Sequence, residues 1–321
     1  MIVKVGTFNL NNLFSRFNFK GRIEAVLADD TTVTVTYSFD DPAEYNIRTF
    51  MGRLVVEKDP SRRLKVANRI KDMDLDVLAL QEVEDLSTLE HFNRTDLAGM
   101  YPYQILIEGN DPRLIDVGLL SKLPLGAVSS WRFATHKAEP DSHIFSRDLL
   151  EVDVLDAKRK KRLFTVYNTH LKSQYLAPQE NPVTGKERAD LIRTRQSETA
   201  ANIIIARTRP NSPFLLLGDM NDVPIATPLA AIAQNPDLPL VNGLANPQET
   251  QPAPHDAFPP ASSAWTHRFK ESGQPARYDL FDQIWLSPTL AARQTAAWIK
   301  RRSNLTGEGS DHDPAWVEVD V

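Results

Sequence analysis

The stretch Phe214-Leu215-Leu216-Leu217-Gly218-Asp219-Met220-Asn221-Asp222-Val223-Pro224 decides how the rest of the chain is read. Its first four residues are apolar without alternation, the pattern of a strand buried on both faces. Gly218 then permits a tight turn and Asp219 presents a carboxylate. Asn221 sets an amide on the same side two residues on, and Pro224 stops the strand from continuing. Polar chemistry at the end of an apolar strand is where open α/β folds place their sites.

The same pattern recurs on either side. Ile2 to Phe8 reads as a strand running into Asn9-Leu10-Asn11-Asn12, and Val77 to Leu80 as a buried strand running into Gln81-Glu82-Val83-Glu84. Arg162 to Tyr167 ends at Asn168-Thr169-His170 and pairs with Leu149 to Leu155 as a hairpin with a charged tip. Strands from Phe281 to Leu286, Gln294 to Ile299 and Ala315 to Val319 close the chain, with Ser310-Asp311-His312 just before the last. Weaker strands fall at Tyr103 to Ile107, Val117 to Ser121 and Ala127 to Trp131.

Asp59-Pro60 starts a helix with Leu64, Ala67, Ile70 and Met73 as its apolar stripe. A longer helix from Glu187 to Arg207 turns Ala189, Ile192, Gln196, Thr199 and Ile203 to one side. Ile23 to Leu27 and Thr31 to Tyr37 suggest a further hairpin. Tyr175 to Gly185 reads as a loop, and Asn235 to Pro260, dense in Pro, Asn and Gln, as an irregular excursion. Helices that alternate with strands give α/β or α+β layers.

With 321 residues, 41% of them hydrophobic, the chain can bury a substantial core, and no shift of composition splits it. The absence of cysteine excludes disulfide partners, thiolate metal sites and cysteine nucleophiles. A net charge of −5 argues against a protein held on nucleic acid by bulk positive charge. It does not exclude a phosphate substrate, because carboxylates that hold a divalent cation become a cationic site once loaded. Met1-Ile2-Val3-Lys4-Val5 lacks the basic start and apolar core of a secretion signal, and no stretch is long enough to span a membrane. The expectation is therefore a cytoplasmic protein without a membrane anchor; oligomeric state is not legible.

Taken singly, Asn9 reads as a turn former, Glu82 as a cap or surface carboxylate and Asp219 as an Asx-turn residue. Taken together they reverse that reading, because independent turns have no reason to choose carboxylates, amides and histidines at successive strand ends. Mg²⁺ takes oxygen ligands, and Glu82 and Asp311 supply carboxylates for it. Water attacking phosphorus has to be aligned and deprotonated, work for a carboxylate such as Asp219 or an imidazole such as His312. Charge on the non-bridging oxygens needs donors, and Asn9, Asn221 and His170 are of that type.

The series Thr7-Phe8-Asn9, Leu80-Gln81-Glu82, Asn168-Thr169-His170-Leu171, Gly218-Asp219-Met220-Asn221, Asp282-Gln283-Ile284-Trp285-Leu286-Ser287 and Ser310-Asp311-His312 resembles the endonuclease/exonuclease/phosphatase superfamily, with all six blocks in that family's order. The resemblance implies a four-layer α/β sandwich, two packed mixed β-sheets flanked by helices, in one domain over 1–321 with insertions around 22–59 and 235–260. It also implies Mg²⁺- or Mn²⁺-dependent hydrolysis of a phosphoester, here by a nuclease on DNA or RNA. By motif, Glu82 is the principal metal ligand, with Asp311 and Asn9 beside it. Asp219 and Asn221 position the attacking water, His170 stabilises the phosphate or leaving group, and Asp282 partners the catalytic His312. Asn9, Arg147 and Lys172 are the candidate phosphate contacts.

Some positions depart from the family pattern. Asn11 stands where some members carry an acidic ligand, and Leu280 and Gln283 replace the Arg and Tyr that often flank the Asp282 block, which leaves Asp279 as a rival. Arg113 reads as a structural ion pair, and His91, His136, His143, His255 and His267, outside any motif, as surface or structural residues. Two other functions stay open: a phosphomonoesterase or phospholipid hydrolase of the same fold, and a catalytically silent binding module.

Overall fold

A computed structural model describes residues 1–14, 21–29, 32–39, 58–175, 181–255 and 258–321. Two sheets pack face to face. The first has seven strands, in the order Gln248–Glu249, Gln294–Ile299, Ala315–Asp320, Ile2–Leu13, Val77–Val83, Asp116–Ser121 and Tyr103–Leu106. The second has six, in the order Val241–Asn242, Asp282–Leu286, Phe214–Asp219, Arg162–His170, Leu149–Leu155 and Leu125–Ser130. Each mixes parallel and antiparallel pairs. Ile2–Leu13 runs parallel to Val77–Val83 and antiparallel to Ala315–Asp320, while Phe214–Asp219 runs parallel to Arg162–His170 and antiparallel to Asp282–Leu286.

Three buried clusters make four layers. Between the sheets lie Val3, Val5, Val77, Ala79, Val166, Leu215, Leu217 and Ile284. Outside the first sheet, Phe8, Leu78 and Leu80 pack on helices Pro60–Met73 and Leu86–Thr95 through Val66, Ile70, Leu89 and Phe92. Outside the second, Tyr167, Phe214, Leu216 and Trp285 pack on helix Pro182–Arg207 through Ala200, Ala201 and Ile204. The run Phe214–Leu217 thus buries alternate residues in two different cores, which is why it carries no polar position.

The helices differ from the sequence reading at their ends. Asp59 caps the first as expected, accepting from the Arg62 N–H at 3.1 Å, but Leu64 is exposed and the inward face is Val66, Ala67, Arg69, Ile70 and Met73. The long helix starts at Pro182, capped by Asn181, so that part of the expected loop is helical and Gly185 is a buried helical residue; Ile192 and Ile203 are only partly buried. Residues 176–180 of that loop lie outside the described residues. In the irregular excursion, Val241–Asn242 and Gln248–Glu249 add one short strand to an end of each sheet. Gly21–Ala28 and Val33–Phe39 pair as expected, in a sheet of their own; most of the remaining 22–59 segment lies outside the described residues. No helix among the described residues is long and apolar enough to cross a membrane.

A buried polar bridge ties the sheets together below the site. Gln81 accepts from Thr7 Oγ1 at 3.1 Å and donates to Asn168 Oδ1 at 2.8 Å, while Asn168 Nδ2 donates to the carbonyls of Leu80 and Gly118 at 3.1 and 2.8 Å. Each amide atom is satisfied, so burial costs little and the relative position of the sheets is fixed.

Candidate active site

The polar residues at one end of the two sheets owe their placement to backbone irregularity. The strands at Asn9 and Glu82 do not stop there as the sequence suggests; they continue to Leu13 and Val83 through register shifts. Asn11, Asn12 and Glu82 have φ of 49°, 62° and 61°, so bulges re-aim the side chains within the strands. Gly218 has φ of 133°, and a Cβ there would fall 1.9 Å from the Thr169 carbonyl oxygen. Only glycine fits between Leu217 and Asp219.

Asp219, 1% exposed, is the hub. Its Oδ1 accepts the Asn221 N–H at 2.8 Å and its Oδ2 the Asn9 side-chain amide at 2.9 Å. Two imidazoles face Oδ2: His170 Nε2 at 3.5 Å and His312 Nε2 at 3.9 Å. His312 Nδ1 lies 2.7 Å from Asp282 Oδ2. Asp279 is engaged elsewhere, with Arg277 Nε at 2.6 Å, so Asp282 is the carboxylate behind the imidazole. Asn221, φ 52°, also ties its amide to the Leu171 carbonyl at 3.1 Å.

Burial and charge set the protonation of this group. Burial raises the Asp219 pKa and Asp282 nearby adds to it, against His312 and the two donors. Burial alone would lower His312, but Asp282, through its charge and its hydrogen bond, with Asp219 and Asp311, holds that imidazole well above its ordinary value. His170 is held well below, by burial first and then by Arg147, His312 and Arg113, and is neutral at pH 7. The site therefore contains one charged and one neutral imidazole on the same carboxylate oxygen.

The opposite wall carries Glu82 and Asp311. Glu82 Oε2 accepts the Asn12 N–H at 2.9 Å, and Asp311, exposed at the mouth, accepts from the Asn11 side-chain amide. Burial raises the Glu82 pKa; His312 and Arg147 oppose this, while Asp311 and Asp219 reinforce it. Carboxylates that repel one another are oxygen donors that fit a hard divalent cation, and the Asn9 amide oxygen, which accepts the Asn11 N–H at 2.9 Å, is a further donor of that type. The tightest groups of metal-binding side chains among the described residues are Asp219 with Asp282 and His312, and His267 with Asp311 and His312; Glu82 is in neither.

The candidate phosphate contacts divide. Arg147, 3% exposed, lies 3.3 Å from Asp111 and close enough to Glu82 and Asp219 to feel both charges. Arg113 is chelated by Asp111, at 2.9 and 3.0 Å. Lys172 is half-buried, and its Nζ turns to the Ser173 carbonyl at 2.9 Å. Burial and then Arg147 lower its pKa to about 8.

Several contributors have no role in the sequence reading, Ser310 among them although it opens the Ser310-Asp311-His312 block. Ser310 Oγ donates to the Asn9 carbonyl at 2.7 Å and accepts the His312 N–H at 3.0 Å, so one hydroxyl ties the two ends of the chain. Thr266 Oγ1 accepts the Asp282 N–H at 2.9 Å. Lys58 Nζ donates to the Asn11 carbonyl at 2.7 Å, with its pKa lowered to about 8 by burial. His267, expected to be surface or structural, stands against His312 with ring centres 4.8 Å apart. No spacing announces it, because a pairing between distant segments brings it there.

Residues 6–312 match the sequence model of the Endonuclease/Exonuclease/phosphatase family. No curated protein matches the sequence. Among solved structures, an endonuclease/exonuclease/phosphatase from Bacteroides vulgatus superposes with a TM-score of 0.58 at 15% identity, over 100% of this chain and 99% of its own. D. rerio TDP2 complexed with single strand DNA product gives 0.56 at 14%, over 100% and 99%. The human Nocturnin catalytic domain with bound sulfate anion gives 0.58 at 13%, over 99% and 94%. At such identities the likeness establishes the fold alone.

Proposed function

The chain belongs to the endonuclease/exonuclease/phosphatase family, and from that premise we propose that it is a divalent-metal-dependent phosphodiesterase, a nuclease on DNA or RNA that works by in-line attack of water. The observation that carries this reading is Asp219, held by Asn9 and Asn221 and faced by two imidazoles, opposite the carboxylates of Glu82 and Asp311. The DNA product in the D. rerio TDP2 structure supports nucleic acid as the substrate class.

Asp219 is the proton acceptor for the attacking water. Burial raises its basicity and two donors fix both of its oxygens, so it meets water in one orientation. His312, kept charged by Asp282, donates to the phosphoryl oxygens, where negative charge grows in the transition state. His170, neutral, donates a second hydrogen bond there or at the leaving oxygen. Asn221 orients the water and Arg147 and Lys172 supply positive charge on the same side. Glu82, Asp311 and the Asn9 amide oxygen hold Mg²⁺ or Mn²⁺, which when bound supplies Lewis-acid polarisation of a phosphoryl oxygen. Residues 1–321 act as one catalytic domain, and the insertions around 22–59 and 235–260 tune substrate choice.

The test is an assay of plasmid, single-stranded DNA, RNA, inositol phosphates and sphingomyelin in Mg²⁺, in Mn²⁺ and in EDTA. Cleavage of a nucleic acid that EDTA abolishes is the expected result. Hydrolysis of only the phospholipid or the phosphomonoesters removes the nuclease reading, and activity undiminished in EDTA removes the metal.

A further inference from the structure

The third imidazole at the mouth of the cleft is not used by the hydrolysis proposed above. The backbone of His267 pairs with that of His312 through an isolated antiparallel bridge, which sets the two rings 4.8 Å apart. Phe281 stacks on His267 at 5.0 Å and 9° and holds the ring in place. His267 Nε2 is 3.9 Å from Asp311 Oδ2, and its Nδ1 is buried without a hydrogen-bond partner among the described residues. One donor atom from each of His267, Asp311 and His312 lies within 4.8 Å of the other two.

We propose that His267, Asp311 and His312 form a binding site for a borderline transition-metal cation, with Zn²⁺ the best fit, and that its occupation inhibits the enzyme. The inhibition rests on the phosphodiesterase reading; the binding does not.

Three properties carry the site. Two imidazole nitrogens and one carboxylate oxygen suit Zn²⁺, Co²⁺ or Cu²⁺, whereas Mg²⁺ prefers oxygen alone. His312 Nδ1 is already engaged by Asp282 at 2.7 Å, the outer-shell contact that orients a ligating imidazole, and the metal takes Nε2 in exchange for its proton, which is released to solvent. Asp311 has a side chain 52% exposed, which gives the ion a way in, leaves a coordination position for water and lets the carboxylate rotate. Zinc–nitrogen bonds of about 2.0 Å put neighbouring ligands roughly 3.4 Å apart, so donors within 4.8 Å of one another close on the ion by rotation of the exposed Asp311 together with small tilts of the two rings. In the other tight group, Asp219 with Asp282 and His312, all three members are buried and Asp282 is committed to His312 Nδ1.

The consequence follows from sharing. Asp311 belongs to the oxygen-lined wall and His312 to the charge-stabilising pair, so an ion held by His267 withdraws both from hydrolysis. Zn²⁺ is then an inhibitor of the Mg²⁺-supported reaction, through a residue that the reaction does not need.

The experiment uses Co²⁺ as a visible probe, titrated into the full chain in excess Mg²⁺, with wild type compared with His267→Phe and His267→Asn. Phenylalanine keeps the stacking on Phe281 and removes the ligand; circular dichroism checks that each variant is folded. Expected is a visible Co²⁺ band at one equivalent that Zn²⁺ displaces and Mg²⁺ does not, with affinity lower by on the order of tenfold or more in both variants. In a second arm, Zn²⁺ is titrated against Mg²⁺-supported hydrolysis of bis(p-nitrophenyl) phosphate, each protein relative to its own zinc-free rate. Half-inhibition should need at least about tenfold more Zn²⁺ in the variants. Equal Co²⁺ affinity in all three proteins, or a band that Mg²⁺ displaces, overturns the site; equal Zn²⁺ sensitivity overturns the inhibition. If wild type hydrolyses nothing in Mg²⁺ the phosphodiesterase reading fails, while the Co²⁺ arm still decides the site.

Discussion

Two aspartates lie on either side of His312 in the fold, and both are buried, Asp219 at 1% and Asp313 at 0% exposure. Asp219 has around it an amide, a backbone N–H and two imidazoles. Asp313 has three guanidinium groups: Arg69 Nη2 at 2.8 Å, Arg302 Nε at 3.0 Å and Arg301 Nη1 at 3.3 Å. The groups in direct contact with Asp219 are neutral or can change charge, as the proton-acceptor role proposed for it requires. The partners of the Asp313 carboxylate are all guanidiniums that hydrogen-bond it from three sides, so its work is mechanical. Through the same arginines the cage holds the loop that carries the site, since Arg302 Nη2 donates to the Asp311 carbonyl at 2.8 Å and Arg69 Nη1 to the His312 carbonyl at 3.2 Å.

The sharpest way to break this contrast is to remove the charge from each. Asp219→Asn keeps an oxygen for the Asn221 N–H but cannot act as a base. Hydrolysis should fall by on the order of 10³-fold or more, while the thermal midpoint moves little because burial already disfavours that charge. Asp313→Asn should do the reverse. It leaves three buried guanidiniums without a carboxylate, at a cost of roughly 3–5 kcal/mol, and the protein that remains folded at low temperature should still turn over substrate. Thermal melts beside steady-state rates decide both. Equal losses of stability in the two variants would show that Asp219 is structural too, and an inactive but stable Asp313→Asn would place that residue in the chemistry.

The sequence makes one side of this contrast visible and hides the other. Phe214 to Leu217 announces a strand buried on both faces because no polar residue interrupts it, and the polar blocks after it fall where side chains converge. The cage around Asp313 has no local signature, since Arg69 comes from the first helix and Arg301 and Arg302 follow the Gln294–Ile299 strand. Nor do the bulges at Asn11, Asn12 and Glu82, where residues other than glycine take positive φ under the constraint of tertiary contacts. Strands as short as Val241–Asn242 show no period at all. The helix Leu86–Thr95, capped by Asp85, which accepts the Thr88 N–H at 2.7 Å, is absent from the sequence reading, because its 10 residues are too few to set an apolar period apart from the loop around it.

A third buried aspartate sharpens the comparison, with the smallest effect. Asp116, 2% exposed, accepts the Gly109 N–H at 2.8 Å, and burial raises its pKa to about 7, with Glu108, Asp111 and Asp148 adding to the shift. It has neither the cage of Asp313 nor the imidazoles of Asp219. In the unfolded chain its pKa returns to the model-peptide value near 3.9. Between that value and about 7 the folded state binds a proton that the unfolded state lacks, so this residue makes stability fall as pH rises across that window. Asp116→Asn keeps an acceptor for Gly109 and removes the charge. The variant should melt about 6 °C above wild type at pH 8 and only about 2 °C above it at pH 5. Asp148, itself raised to about 6 by burial, feels the Asp116 charge in return, so losing that charge relieves it as well and adds to the gain at pH 8. A gain of equal size at both pH values would mean that packing, not charge, is what the substitution changes; a loss at pH 8 would mean that the ionised carboxylate of Asp116 is stabilised by its surroundings.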